Sequence, residues 1–227
     1  MSVFYHFVSS DEYDADRVIY GDYKWQHRYG LAEWSEVVND SIEGIICPIH
    51  EGHQRAAMRT RELQVILPSP RLGDFVWTWY SECLITDRVL NLFKQAGFTG
   101  YEIRPVTIEK IKSVRKGTKV MIPTLWELVV VGKGGDAHPD SGIRLIYTCE
   151  ACQMIRYSSY QNGIIVDEDQ WDGTDFFTVN GYPKLCLVSE RVKDLIITHN
   201  LTNCVLIPSH KMHWPDIVVR PEEVYPE

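Results

Sequence analysis

No apolar run in this sequence is long enough to cross a bilayer. Its start, Met1-Ser2-Val3-Phe4-Tyr5-His6, has no basic stretch followed by an apolar one, so neither a transmembrane anchor nor an export signal is expected. The expectation is a cytoplasmic protein with no membrane partner. Cationic charge is also scarce: 23 Lys and Arg face 31 Asp and Glu, for a net charge of −8 and a pI near 5.5. A general nucleic-acid binder needs a basic footprint to displace counterions from phosphates, so nucleic acid is not an expected partner and a basic protein suits the charge better. Cysteine is limited to six residues in 227, and 44% of the chain is hydrophobic, so the core needs no disulfide framework. Catalytic patterns are missing as well. Gly132-Lys133-Gly134-Gly135 lacks the order of a phosphate-binding loop and reads as a flexible turn. His6, His138, His199, His210 and His213 show neither metalloprotease nor triad spacing, so no catalytic residue is expected and the chain reads as a non-enzyme.

What the chain does hold is a pair of half-motifs, Cys47-Pro48-Ile49-His50 and Cys149-Glu150-Ala151-Cys152. A structural zinc takes four thiolate or imidazole ligands in a tetrahedron, and two short turns supplying two ligands each would complete one site. Cys47, His50, Cys149 and Cys152 are therefore the candidate zinc ligands, with His53 close enough to replace His50. A Cys3His set is of the closed, structural kind, so the metal is expected to hold the fold and to do no chemistry. A redox role for Cys149 and Cys152 would call for a helix following the pair; here Ile143 to Tyr147 leads in and Met154 to Tyr157 leads out, both with strand character. Cys83 and Cys186, each at the end of an apolar stretch, read as small buried hydrophobes.

The half-motifs belong to a longer correspondence. Cys47 and Cys149 lie 102 positions apart, Asp74-Phe75 and Asp175-Phe176 lie 101, and Cys83 to Val89 against Cys186 to Val192 lie 103. The match continues through Phe98-Thr99 against Leu201-Thr202 and ends on Pro105 against Pro208, as expected of an internal duplication. Each copy reads strand, helix, strand. Thr86 and Ser189 stand where N-caps belong, Asp87 and Glu190 place negative charge in the first turn, and Gly97 and Asn200 tolerate a left-handed stop. Val89, Leu92, Phe93 and Ala96 make one apolar helix face; Val192, Leu195 and Ile196 make the other.

Elsewhere, Val3 to Val8 suits a first strand. Leu125 to Val131, the Gly132 turn and Ile143 to Tyr147 suggest a hairpin whose return strand carries the second half-motif. The rings of Tyr20, Tyr23, Trp25, His27, Tyr29 and Trp34 read as core cover or a binding face, and Trp214 to Glu227, with three prolines, as an extended tail. Asp167, Glu168, Asp169 and Asp172 surround an exposed-looking Trp171, a solvated turn or a partner-binding patch for a basic surface. The expected fold is α+β: two related strand-helix-strand halves with mainly antiparallel sheet, joined around a zinc-knuckle-like site. The halves divide as residues 1–135 and 136–227, in one compact unit.

On these residues the chain resembles the double-CxxCG proteins, which occur as large paralogous sets in myxobacteria. The likeness rests on the Cys47 turn after an aromatic region, Gly73-Asp74-Phe75-Val76-Trp77, the Cys149 turn, and the unit from Phe176 to Pro208. His50, Glu51 and Gln153 depart from the motif, which has cysteine at the first of these positions and glycine at the other two. Family members act as immunity proteins against swarming-inhibition toxins, so the resemblance implies a cytosolic protein that binds and neutralises a cognate toxin. The alternatives are a zinc-stabilised interaction module without a toxin partner and an enzyme with a cleft between the halves.

Overall fold

The computed structural model describes residues 2–9, 31–34, 45–50, 54–55, 61–78, 82–114, 121, 124–158, 160 and 162–212. The ring cluster from Tyr20 to Tyr29, His53 and the tail from Trp214 lie outside the described residues, and Trp34 is described by its backbone alone. In chain order the strands are β1 (Tyr5–Val8), β2 (Leu31–Trp34), β3 (Ile45–Ile46), β4 (Gln54–Arg55), β5 (Leu63–Leu67), β6 (Phe75–Thr78) and β7 (Cys83–Thr86). Helix α1 (Asp87–Ala96) precedes β8 (Tyr101–Ile111), β9 (Leu125–Val130), β10 (Gly132–Lys133), β11 (Leu145–Thr148), β12 (Ile155–Tyr157), β13 (Phe176–Thr178) and β14 (Leu187–Val188). Helix α2 (Glu190–Thr198) and β15 (Val205–Pro208) follow. The fold is α+β, with mainly antiparallel pairing.

Six strands close into a barrel in the order β2-β5-β8-β9-β7-β6, sealed because β2 pairs with both β5 and β6. Alternation along Leu63-Gln64-Val65-Ile66-Leu67 buries every second residue, and Leu63, Val65 and Leu67 fill the barrel with Val76, Leu84 and Leu125. A five-stranded sheet runs β10-β13-β14-β1-β15. Strand β1 is buried along its length and pairs antiparallel with β14 on one side and β15 on the other. Its hydrogen bonds thus run from the first 135 residues into the rest of the chain, and β10 joins the same sheet.

Between barrel and sheet lies a core built by both helices. Asp87-Arg88-Val89-Leu90-Asn91-Leu92-Phe93 has helical spacing, and Val89, Leu90 and Phe93 are buried. Gly97, at φ 66°, ends the helix left-handed, and the Phe98 amide donates to the Phe93 carbonyl. In α2, Val192 and Ile196 are buried, Asn200 takes φ 48°, and the Leu201 amide donates to the Ile196 carbonyl. Phe176 is fully buried at the centre, its ring 5.2 Å from that of Phe93 and 5.4 Å from that of Tyr101.

Two reciprocal contacts tie these units together. The Asp74 carboxylate accepts from the Thr202 amide (2.9 Å) and hydroxyl (3.0 Å) and from Arg88 (2.8 Å), while Arg88 also donates to the His199 carbonyl. The Asp175 carboxylate accepts from the Thr99 amide (3.1 Å), the Ser189 hydroxyl (2.8 Å) and Arg191 (3.1 Å), while Arg191 also donates to the Ala96 carbonyl. The Phe75 amide donates to the Thr202 carbonyl and the Phe176 amide to the Thr99 carbonyl. Each aspartate thus receives the turn that follows the other unit's helix.

The expected hairpin from Leu125 to Tyr147 does not form. Strand β9 pairs with β7 and β8, and β11 pairs with β12. The glycine run is no flexible turn at its start: Gly132 and Lys133 form β10, parallel to β13. A Cβ at Gly132 would lie 2.2 Å from the Phe176 carbonyl oxygen, so glycine is required by the close approach of β13. Among the described residues no helix is long and apolar enough to cross a membrane.

Candidate metal centre

Strand β3 delivers Cys47 to the end of a two-stranded ribbon with β4, and β11 delivers Cys149 to a tight turn before β12. That turn is closed by a bond from the Gln153 amide to the Cys149 carbonyl and another from the Cys149 amide to the Met154 carbonyl, both 2.8 Å. Gln153 stands at φ 57°, the left-handed conformation that glycine adopts without strain, and its side-chain amide donates to the Glu150 carbonyl at 2.8 Å. The backbone turn therefore persists without the motif glycine.

The sulfurs of Cys47, Cys149 and Cys152 all lie within 4.8 Å of one another, and the three residues are 4%, 1% and 7% exposed. Cys47 Sγ is 3.8 Å from Cys149 Sγ. Zinc–sulfur bonds of about 2.3 Å in a tetrahedron place neighbouring sulfurs about 3.8 Å apart, so the pair has the spacing that a shared ion requires. All six cysteines are free thiols. Burial chiefly pushes the Cys152 thiol above its ordinary value; the Met154 amide opposes this, and Cys149 and Cys47 push it further up. Three thiols this crowded cannot all ionise unless a cation offsets their charge. The cluster can hold a metal ion.

Three of the four expected ligands come together. His50 is half-buried and its backbone amide donates to Cys47 Sγ at 3.4 Å, as knuckle amides do toward a thiolate, but its ring is not part of the close thiol group. Tyr147 and Met154 pack against the cluster, and Ile49 and Ile155 lie exposed beside it.

The acidic stretch is more internally engaged than its composition suggests. Trp171 is half-buried, not exposed: its ring lies 4.9 Å from that of Phe4 and 5.6 Å from that of Phe177, and its indole donates to the Thr174 carbonyl. Asp167 accepts from the Asp169 amide and the Gln170 side chain. Glu168 accepts from the Ser2 amide and hydroxyl, and Asp172 from the Lys133 and Thr174 amides. Glu168, Asp169 and Asp172 are exposed, and Asp167 is half-buried.

Residue patterns missed Thr99 and Thr202 as donors to the two aspartates. Their matched spacing was visible; the crossing of the contacts was not. The chain matches no protein-family model and none of the curated proteins.

Proposed function

We propose that this chain is a cytosolic immunity protein that binds and neutralises a bacterial toxin, with a structural zinc holding its two half-motifs together. The buried group of Cys47, Cys149 and Cys152 carries this reading, because it joins the same two turns on which the resemblance to the double-CxxCG proteins rests. Zinc in a closed thiolate and imidazole set acts as a cross-link between distant segments. The three cysteines would hold it, with His50 or His53 as the fourth ligand. The two strand-helix-strand units are read as copies of one ancestral unit, supported by the crossed contacts of Asp74 with Thr202 and Asp175 with Thr99.

Neutralisation by such a protein is occlusion: a complementary surface covers the toxin, and net charge of −8 speeds capture of a basic partner. Two measurements test this. Protein purified without chelator should contain one zinc per chain by elemental analysis. Co-expression with the toxic product of the neighbouring gene should restore growth and yield a co-purifying complex; failure of both protection and complex formation defeats the immunity reading and leaves a metal-stabilised module.

A further inference from the structure

The barrel and the five-stranded sheet share one pattern of pairing. In the barrel, β6 pairs parallel with β2 and antiparallel with β7, and β9 lies antiparallel between β7 and β8. In the sheet, β13 pairs parallel with β10 and antiparallel with β14, and β1 lies antiparallel between β14 and β15. Strand for strand, β1 holds the place of β9.

The registers agree residue by residue. Over these strands the two units are offset by 103 positions, so Leu84 matches Leu187, Ile103 matches Leu206 and Pro105 matches Pro208. Leu84 faces Glu127 as Leu187 faces His6, Ile103 faces Leu128 as Leu206 faces Phe7, and Pro105 faces Trp126 as Pro208 faces Tyr5. Both neighbours thus give one alignment, Trp126-Glu127-Leu128-Val129 on Tyr5-His6-Phe7-Val8. A slip of one residue would turn every side chain to the other face. The faces agree as well: Trp126 and Leu128 share the central core with Tyr5 and Phe7, whereas Leu125 packs inside the barrel and Phe4 in the core on the other side of the sheet. Even the contacts that close the barrel have counterparts. Leu63 pairs with Val106 as the Ile164 amide donates to the Ser209 carbonyl at 2.8 Å, and the antiparallel pairing of β2 with β5 is matched by the antiparallel bridge of Ala137 to Val166.

We infer that the chain is two tandem copies, β1 to β8 and β9 to β15, that have exchanged their first strands, a strand-swapped dimer fused into one chain. Each first strand leaves its own copy and completes the sheet of the other. Tyr5 and Trp126 lie 121 positions apart where the rest of the match holds at 101 to 103, and the excess sits between Val8 and Leu31, opposite the single Val131 between β9 and β10. The exchange presupposes that the two units are copies and needs no toxin partner. It makes each half the binding partner of the other, and the link between β8 and β9 dispensable.

A protease site placed between Lys116 and Gly117 of the full chain, cut after folding, tests the exchange. The halves should run as one particle with the mass of the uncut chain, and size and far-UV dichroism should be lost together in urea. Each tenfold rise in concentration should stabilise the cut pair by about 1.4 kcal/mol, while the midpoint of the uncut chain stays fixed. Halves that separate with their sheet dichroism intact, or a midpoint that ignores concentration, overturn the exchange. A second variant of the uncut chain trades residues 4–8 with residues 125–129, and its control trades 4–8 with 126–130, one residue out of register. The matched trade should fold with a single unfolding transition and the shifted trade should not. A matched trade no better than the shifted one defeats the reading of two copies itself.

Discussion

Replacing Asp175 with alanine probes the crossed contacts most directly. Its carboxylate accepts from the buried Ser189 hydroxyl, the Thr99 amide and Arg191. The Arg191 side chain is 63% exposed, so solvent screens that pair and it contributes little, about 0.5 kcal/mol. Ser189 and Thr99 matter more: each donor left without its acceptor in a partly dry site costs about 1–3 kcal/mol. The expected loss is therefore roughly 3–5 kcal/mol, read from urea unfolding followed by tryptophan fluorescence at an unchanged m-value. Asp74→Ala should cost about 1 kcal/mol less, because the Thr86 hydroxyl, the counterpart of Ser189, is buried without a hydrogen-bond partner and makes no bond to be lost. A double-mutant cycle of Asp74→Ala with Thr202→Ala, which removes the hydroxyl bonded to Asp74 at 3.0 Å, should show coupling of about 1 kcal/mol or more. A loss below about 1 kcal/mol for Asp175→Ala, or no coupling between Asp74 and Thr202, would refute the view that these contacts clamp the two units.

Cys149→Ser should abolish metal retention and lower stability by at least about 3 kcal/mol, since structural-zinc binding energy of about 10–16 kcal/mol in finger peptides is folding energy; unchanged melting would remove the shared site. At Gln153, whose φ is 57°, glycine should be tolerated with metal retained, whereas Gln153→Val should cost about 1 kcal/mol or more and weaken metal retention in a chelator competition. Burial pushes the Asp172 carboxyl up, but bonds from Thr174 and the Lys133 amide and the nearby Lys133 charge outweigh it, so the group sits below its ordinary value. Its folded pKa being depressed, its small, solvent-screened contribution is present above the unfolded pKa of about 3.9 and is lost as pH falls through the folded value. Asp172→Asn should accordingly flatten the acid limb of stability in denaturant midpoints measured below pH 5.

Local chemistry was legible in the residues. Helix α1 follows from Asp87, the Val89 and Phe93 face and the Gly97 stop, and α2 from the matching set, because such signals act within a few positions; Thr86 and Ser189 stand at the N-cap positions but neither side chain makes a capping bond. The approach of the Cys47 and Cys149 turns also follows from their motifs, while the ring of His50 does not join the thiols. Pairing across long separations was not legible. The closure of β2 on both β5 and β6, and the parallel seat of β10 beside β13, depend on tertiary register that no local pattern encodes. Trp171 misled for a related reason: acidic neighbours suggest exposure, but Phe4 and Phe177, distant in sequence, form its bed.

The position of β1 has a kinetic consequence. Tyr5 pairs with Val188 on one side and with Pro208 on the other, so this interior strand of the sheet meets both neighbours only across nearly the whole described chain. Such non-local pairings make the loop-closure cost fall before any reward from the contacts. On the ribosome, the buried apolar segment Tyr5 to Val8 must wait until β15 has emerged. The five-stranded sheet is thus a late-assembling element, and the nascent chain carries an aggregation-prone strand for most of its synthesis.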